Sequence, residues 1–320
     1  MSGPVTAEDA PDRGSADVRE HGDLEILPGR EATVGAFGVR RVLPRRERRT
    51  VGAWCFVDHM GPAQVSEDRG LDIGPHPHIG LQTVTWLVSG EVLHRDSLGS
   101  EQVIRPGQLN LMSAGHGVSH SEEATGSYRG ELHGVQLWVA QPAGTRDSPA
   151  AFEHHGELPR VEMGTVTVTV MVGRFAGQES PARRDTAHVA AELDLRPGPA
   201  VLPLDPSHEY GLVALDRPVE VGRRQLEPGH LGYLGIGRDE MALTSTGRSR
   251  ALLIGGEPFP EPVLMWWNYV ARDRSEIVAA HREWTAGGER FGRFRSPLPR
   301  IVAGPPPWSG KPGPPDPAAT

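Results

Sequence analysis

The chain has 320 residues, a net charge of -8 and a pI near 6.0, so it lacks the basic footprint that nucleic-acid binding requires. A single cysteine, Cys55, excludes an intrachain disulfide framework and a cysteine-based zinc site. The 40 Gly and 30 Pro favour short strands and tight turns over long helices, and no stretch approaches the roughly 20 apolar residues of a membrane span.

Residues 1–22 are polar and charged, without an apolar core. They read as a disordered arm and not as a signal peptide, which points to a soluble, cytoplasmic protein. Short apolar runs between Leu24 and Phe56 predict strands; the Arg-rich stretch Arg40–Arg49 between them reads as a solvated turn. Phe56–Pro62 leaves a strand for a loop, and Val65–Ile73 is loop-like. The β-branched run Gln82–Val88 predicts a strand, as do Glu91–Ser97, Gln102–Ile104, Leu109–Met112 and Leu132–Ala140. Turn residues separate them every eight to twelve positions, the signature of a closed or sandwiched β-barrel.

Two histidine-bearing pieces punctuate this set. His76-Pro77-His78 opens it and His120-Ser121-Glu122 closes it. In a strand, an i, i+2 spacing puts both side chains on one face. Two such strands facing each other across a barrel would aim four ligands at one centre. Pro77 has no N–H to give a ladder, so its strand belongs at a sheet edge or a strand start. Three imidazoles and one carboxylate suit Fe(II), Mn(II), Ni(II) or Cu(II); zinc is admitted, though no thiolate is offered. Four protein ligands on an octahedral metal leave two open positions, which makes a reaction centre. Trp86 and Trp138 read as core, and His94 as a residue facing either the barrel mouth or solvent.

Gln141–Pro159, rich in Pro, Gly and charge, reads as a linker whose outer bound is 163. Strict alternation resumes over Thr165–Val172. The Pro-Gly-x-Leu turn at 106–109 recurs at 228–231, which predicts two similar barrels, the second a divergent copy. The copy lacks the ligands, its counterpart to the first dyad being at best Ser207-His208-Glu209 with one His, so one metal is expected, in the first barrel. Asp273–Trp284 reads as a helix, with a capping box at Asp273-x-x-Glu276 and a stop at Gly287-Gly288. Trp266-Trp267 is expected to seal the chain's end onto a barrel. The expected organisation is therefore arm 1–22, metal-binding barrel 23–140, linker 141–163, metal-free barrel with the closing helix 164–294, and a Pro-rich tail 295–320.

The motif series resembles the pirin family of the cupin superfamily. The residues that carry it are Phe56-Val57-Asp58-His59-Met60-Gly61-Pro62, His76-Pro77-His78-Ile79-Gly80-Leu81-Gln82, His94-Arg95-Asp96-Ser97-Leu98-Gly99, Pro106-Gly107-Gln108, Met112 to Glu122, and Gly255 to Val263. The resemblance implies an all-β bicupin, two tandem cupin-type barrels with a short C-terminal helix. It implies one divalent metal, Fe(II) first, on His76, His78, His120 and Glu122, the same four that spacing selects. It further implies either a quercetin 2,3-dioxygenase-like enzyme, taking a flavonol-type enolic substrate and O2, or a regulator that binds a transcription factor or metabolic enzyme. On the first reading Glu122 accepts the proton of the enolic hydroxyl. The family usually carries Glu where this chain has Gln82, so Gln82 is expected to hydrogen-bond around the ligands and not to act as a base. His116 lies beside the second dyad without an assigned role.

Overall fold

The structure, a computed structural model, describes residues 24–309 apart from 36, 67–70 and 127. The expected arm 1–22 and the last residues of the expected tail lie outside the described residues. The chain is all-β, with a single α-helix, Arg274–Ala286, among the described residues.

Each half pairs a seven-stranded antiparallel sheet with a four-stranded one. In the first half the large sheet runs in the order Ala151–His155, Leu109–Ser113, Leu81–Ser89, Gly130–Ala140, Trp54–Val65, Phe37–Leu43, Arg30–Val34. The small sheet facing it is Ile73–His78, Val118–Glu123, Val92–Asp96, Glu101–Ile104. The second half repeats the plan, with Ser249–Gly256 at the centre of its large sheet and Gly198–Pro203 at the edge of its small one. The repeat expected from the two Pro-Gly turns is thus a repeat of the whole seven-plus-four arrangement. The strand that holds Pro77 is an edge strand, as the missing N–H requires.

The halves differ inside. The second is filled with aliphatic side chains, among them Val168, Leu193, Leu212, Leu243 and Leu253. The first keeps a cavity. Between the two large sheets lies a shared apolar layer that includes Trp54, Trp86, Leu137, Val172 and Ile254. Trp54 ties this layer to the second half through its indole N–H, which reaches the carbonyls of Val189 (3.0 Å) and Gly255 (3.1 Å). An indole buried between two halves needs such a partner.

Three expected boundaries need correction. The first strand, Glu25–Pro28, pairs with His230–Leu234 of the second half, not with its own. The expected linker 141–163 contains two strands: Ala151–His155, paired with Leu109–Ser113, and Arg160–Met163, paired with Val166–Val172. Both lie at sheet edges, where polar residues are tolerated and composition imitates a loop. The closing helix belongs to the first half in space. Asp273 caps its N-terminus by accepting from the Glu276 amide at 3.0 Å, and Gly287 ends it in the left-handed region at φ 72. The segment around it docks on the first half: Val270 N–H donates to Ile79 O (3.1 Å) and Ser119 Oγ to Phe291 O (2.8 Å). Trp266, Trp267, Tyr269 and Trp284 form the apolar cluster beneath that docked helix.

Candidate metal centre

The two dyads sit on neighbouring strands of one sheet, not on strands facing each other across the barrel. His120 is directly opposite His76 in the antiparallel pairing, and Val118 opposite His78. Directly paired residues on one face have Cβ atoms roughly 5 Å apart, close enough for imidazoles to share one centre. The ladder shifts register between His120 and Glu122, which moves the carboxylate off strict alternation. His76, His78 and His120 are buried, and their candidate ligand atoms all lie within 4.8 Å of one another. Glu122 lines the same cavity but is not one of that three-residue cluster.

Hydrogen bonds determine which nitrogen of each ring is free. Nδ1 of His76 lies 2.9 Å from Gly74 O, and Nδ1 of His78 lies 2.9 Å from Asn268 O. A carbonyl only accepts, so each Nδ1 carries the proton and each Nε2 a lone pair. His120 reaches the same state through two neighbours. Its Nδ1 is 3.3 Å from His94 Nδ1, and His94 Nε2 is 3.0 Å from Asp96 Oδ2. Burial alone would raise the Asp96 carboxyl, but the hydrogen bonds from His94 and the Ser100 amide hold it below the usual range. With Asp96 ionised and accepting from Nε2–H of a neutral His94, His94 Nδ1 is left as the acceptor for His120 Nδ1–H, the tautomer that frees His120 Nε2 for a metal.

The three Nε2 lone pairs therefore converge. Those of His78 and His120 stand 3.0 Å apart, an arrangement that repels unless a proton or cation sits between them. Burial drives the His76 imidazolium down to about 4. Burial, then repulsion among the rings, holds His78 and His120 well below the ordinary histidine value. Three neutral imidazoles with converging lone pairs are a donor set for a divalent metal. Burial pushes the Glu122 carboxyl up to about 7; a bound cation would favour its ionised form.

The rest of the cavity has one aromatic wall and one polar corner. Trp138 stacks on Phe56 (centroids 4.0 Å, 15°) and meets the His78 ring edge to face. Asp58 is held by Arg41 through two hydrogen bonds of 2.9 and 2.8 Å, and Gln136 accepts from Thr85 Oγ1 at 2.9 Å. Trp138, expected in the core, is part of this lining. Trp86 does lie in the core, between the sheets.

Gln82 is not in the cavity lining. Alternation along Leu81–Ser89 turns it away from the metal side, and its amide donates to Ser113 Oγ at 2.8 Å. His116 is exposed in its turn, and its backbone is held there: its N–H donates to Ser148 O and its carbonyl accepts from Arg290. His94 faces neither cavity nor solvent but the back of His120. Asp58, Gln136 and Ile301 were missed as lining residues. The alternation Phe56, Asp58, Met60 on one strand could have revealed Asp58; for Ile301, in a Pro-rich stretch, no local signal exists.

Comparison with known proteins agrees with this architecture. Residues 36–139 match the family model Pirin, and residues 190–292 match the Pirin C-terminal cupin domain. A protein of Pseudomonas aeruginosa named "Putative quercetin 2,3-dioxygenase" is 46% identical over 288 residues, 89% of this chain and 91% of that one. A "Pirin-like protein" of Caulobacter vibrioides is 36% identical over 270 residues, 82% and 93% of the two chains. Among solved structures, a quercetin 2,3-dioxygenase from Acinetobacter baumannii superposes with a TM-score of 0.86 at 41% identity, covering 89% of this chain and 96% of that one. With both halves matched and the two-sheet plan repeated in each, this chain is a bicupin and belongs to the pirin family.

Proposed function

We propose that this protein is a metal-dependent dioxygenase that opens a flavonol-type, quercetin-like enolic substrate with O2. The convergence of three neutral imidazoles beside Glu122 carries the reading. The names of its relatives from P. aeruginosa and A. baumannii point the same way. His76, His78 and His120 would hold the metal through Nε2, with Glu122 as the fourth ligand. A redox-active divalent metal, Fe(II) on this reading, supplies the route by which an enolate passes electrons to O2.

The chain's own residues do the rest. Glu122, which lines the cavity with the three histidines and would be ionised beside a bound cation, is placed to accept an enolic proton. Trp138 and Phe56 offer a flat face for the substrate ring. Asp58 and Gln136, paired on the same two strands two residues along from Phe56 and Trp138, provide acceptors for ring hydroxyls. Gln82, turned to the other side of its sheet, takes no part.

The test combines elemental analysis with O2 uptake on quercetin, for wild type and His120→Ala. The expected result is about one metal per chain and quercetin-dependent O2 uptake in wild type, both lost in the variant. Metal without uptake would overturn the dioxygenase reading. No metal even after reconstitution would overturn the site itself.

A further inference from the structure

The segment after the helix is stitched across the strands that carry the histidines. Ser296 Oγ donates to Glu123 Oε1 (2.7 Å), and Ile301 N–H donates to Pro75 O (2.8 Å). Trp284 Nε1 in turn donates to Ile301 O at 2.8 Å, and the Arg300 guanidinium lies 3.5 Å from the centre of the Trp284 ring. Glu123 and Pro75 are the chain neighbours of Glu122 and His76. Gly74 backs directly onto this strap: a methyl group there would stand 2.1 Å from Pro299 O. The Ile301 side chain enters the cavity lining, together with Met60 and Ile73.

Beneath the strap the cavity offers about 50 Å³ to water-sized groups. That is room for about four waters, or about 120 Å³ of liquid. One six-membered ring with an adjacent carbonyl and hydroxyl matches this space. A three-ring flavonol is larger than this space, so its outer rings would have to displace the strap.

We infer that Ile301 and the strap Ser296–Ile301 set the size of substrate the centre accepts. With the strap seated, the centre takes a single-ring enolic chelator; a flavonol binds only those molecules whose strap has lifted. This rests on the metal-centre reading above and adds to it a specificity-determining residue. The apparent affinity for a flavonol is then reduced by the fraction of molecules in the lifted state.

The test is calorimetric titration of the full-length, Co(II)-loaded chain with maltol, a single-ring hydroxypyranone, and with quercetin. Wild type is compared with Ile301→Ala, Gly74→Ala and Ile301→Trp. Ile301→Ala empties space on the strap, and Gly74→Ala pushes the strap from the strand side, so the test survives if one variant fails to fold. The expected result is a preference for maltol in wild type. Quercetin affinity relative to maltol should rise about tenfold or more in the first two variants, and Ile301→Trp should weaken maltol. An unchanged quercetin-to-maltol ratio across all the proteins would overturn the inference and leave the metal centre standing. Failure of either probe to bind any Co(II)-loaded form would overturn the substrate reading on which it depends.

Discussion

His94 and His120 meet Nδ1 to Nδ1 at 3.3 Å, and that contact decides which nitrogen of His120 faces the cavity. His94 is in turn oriented by Asp96 (3.0 Å) and by stacking on Phe152 (4.4 Å, 13°). Asp96→Asn should keep the turn, because an amide oxygen can still accept from the Leu98 and Ser100 amides. It removes the anion that holds the His94 proton on Nε2. Metal affinity should fall about 10- to 100-fold, as measured by competition with a chelator of known affinity. An unchanged affinity would show that Asp96 does not set the ring state of His120.

Glu122→Gln should move metal binding and metal-free stability in opposite directions. The folded carboxyl titrates at about 7, above the ordinary value of 4.5. The native state therefore holds a proton that the unfolded state has lost between those values, and stability falls as pH rises through that window. The neutral amide avoids the cost. At pH 8 the metal-free variant should be the more stable by up to roughly 3 kcal/mol, with the difference closing towards pH 4, while its metal affinity drops. Urea unfolding at both pH values checks the sign.

Arg41 and Asp58 form a buried pair at the cavity wall, with Arg41 also lying 4.7 Å from the centre of the Phe56 ring. Arg41→Met leaves an uncompensated buried carboxylate and should cost about 3–5 kcal/mol. Adding Asp58→Leu should recover much of that loss. A double variant no more stable than Arg41→Met would mean that packing on Phe56, not charge, is what Arg41 supplies.

His59 and His133 share a buried contact, Nε2 to Nε2 at 2.8 Å. Burial, followed by the His133 neighbour, drives His59 down to about 3 from 6.5. Its neutral form contributes stability that is present above pH 6.5 and is lost as pH falls towards 3, because the unfolded chain takes the proton first. In that window the metal-free protein should lose about 1.4 kcal/mol per pH unit from this one group. His59→Gln should flatten the slope by that amount. An equally steep slope in the variant would assign the acid sensitivity to the other buried histidines.

Much of this protein was legible residue by residue. His76 and His78, at i, i+2, had to share a face because a strand alternates. Pro77 had to sit at an edge because it has no N–H to give. Asp273 and Gly287 had to bound a helix because of what each does for unpaired backbone groups. These are local constraints, complete within a few residues. What the tertiary structure alone decided is which strands became neighbours. It set His120 opposite His76, turned Gln82 to the far side of its sheet and put His94 behind His120. It also recruited Ala151–His155 from an apparent linker and drew Ile301 over the cavity from far along the chain. Each depends on register and pairing between segments distant in sequence, where the free energy lies in packing and shared hydrogen bonds that no short window of sequence contains.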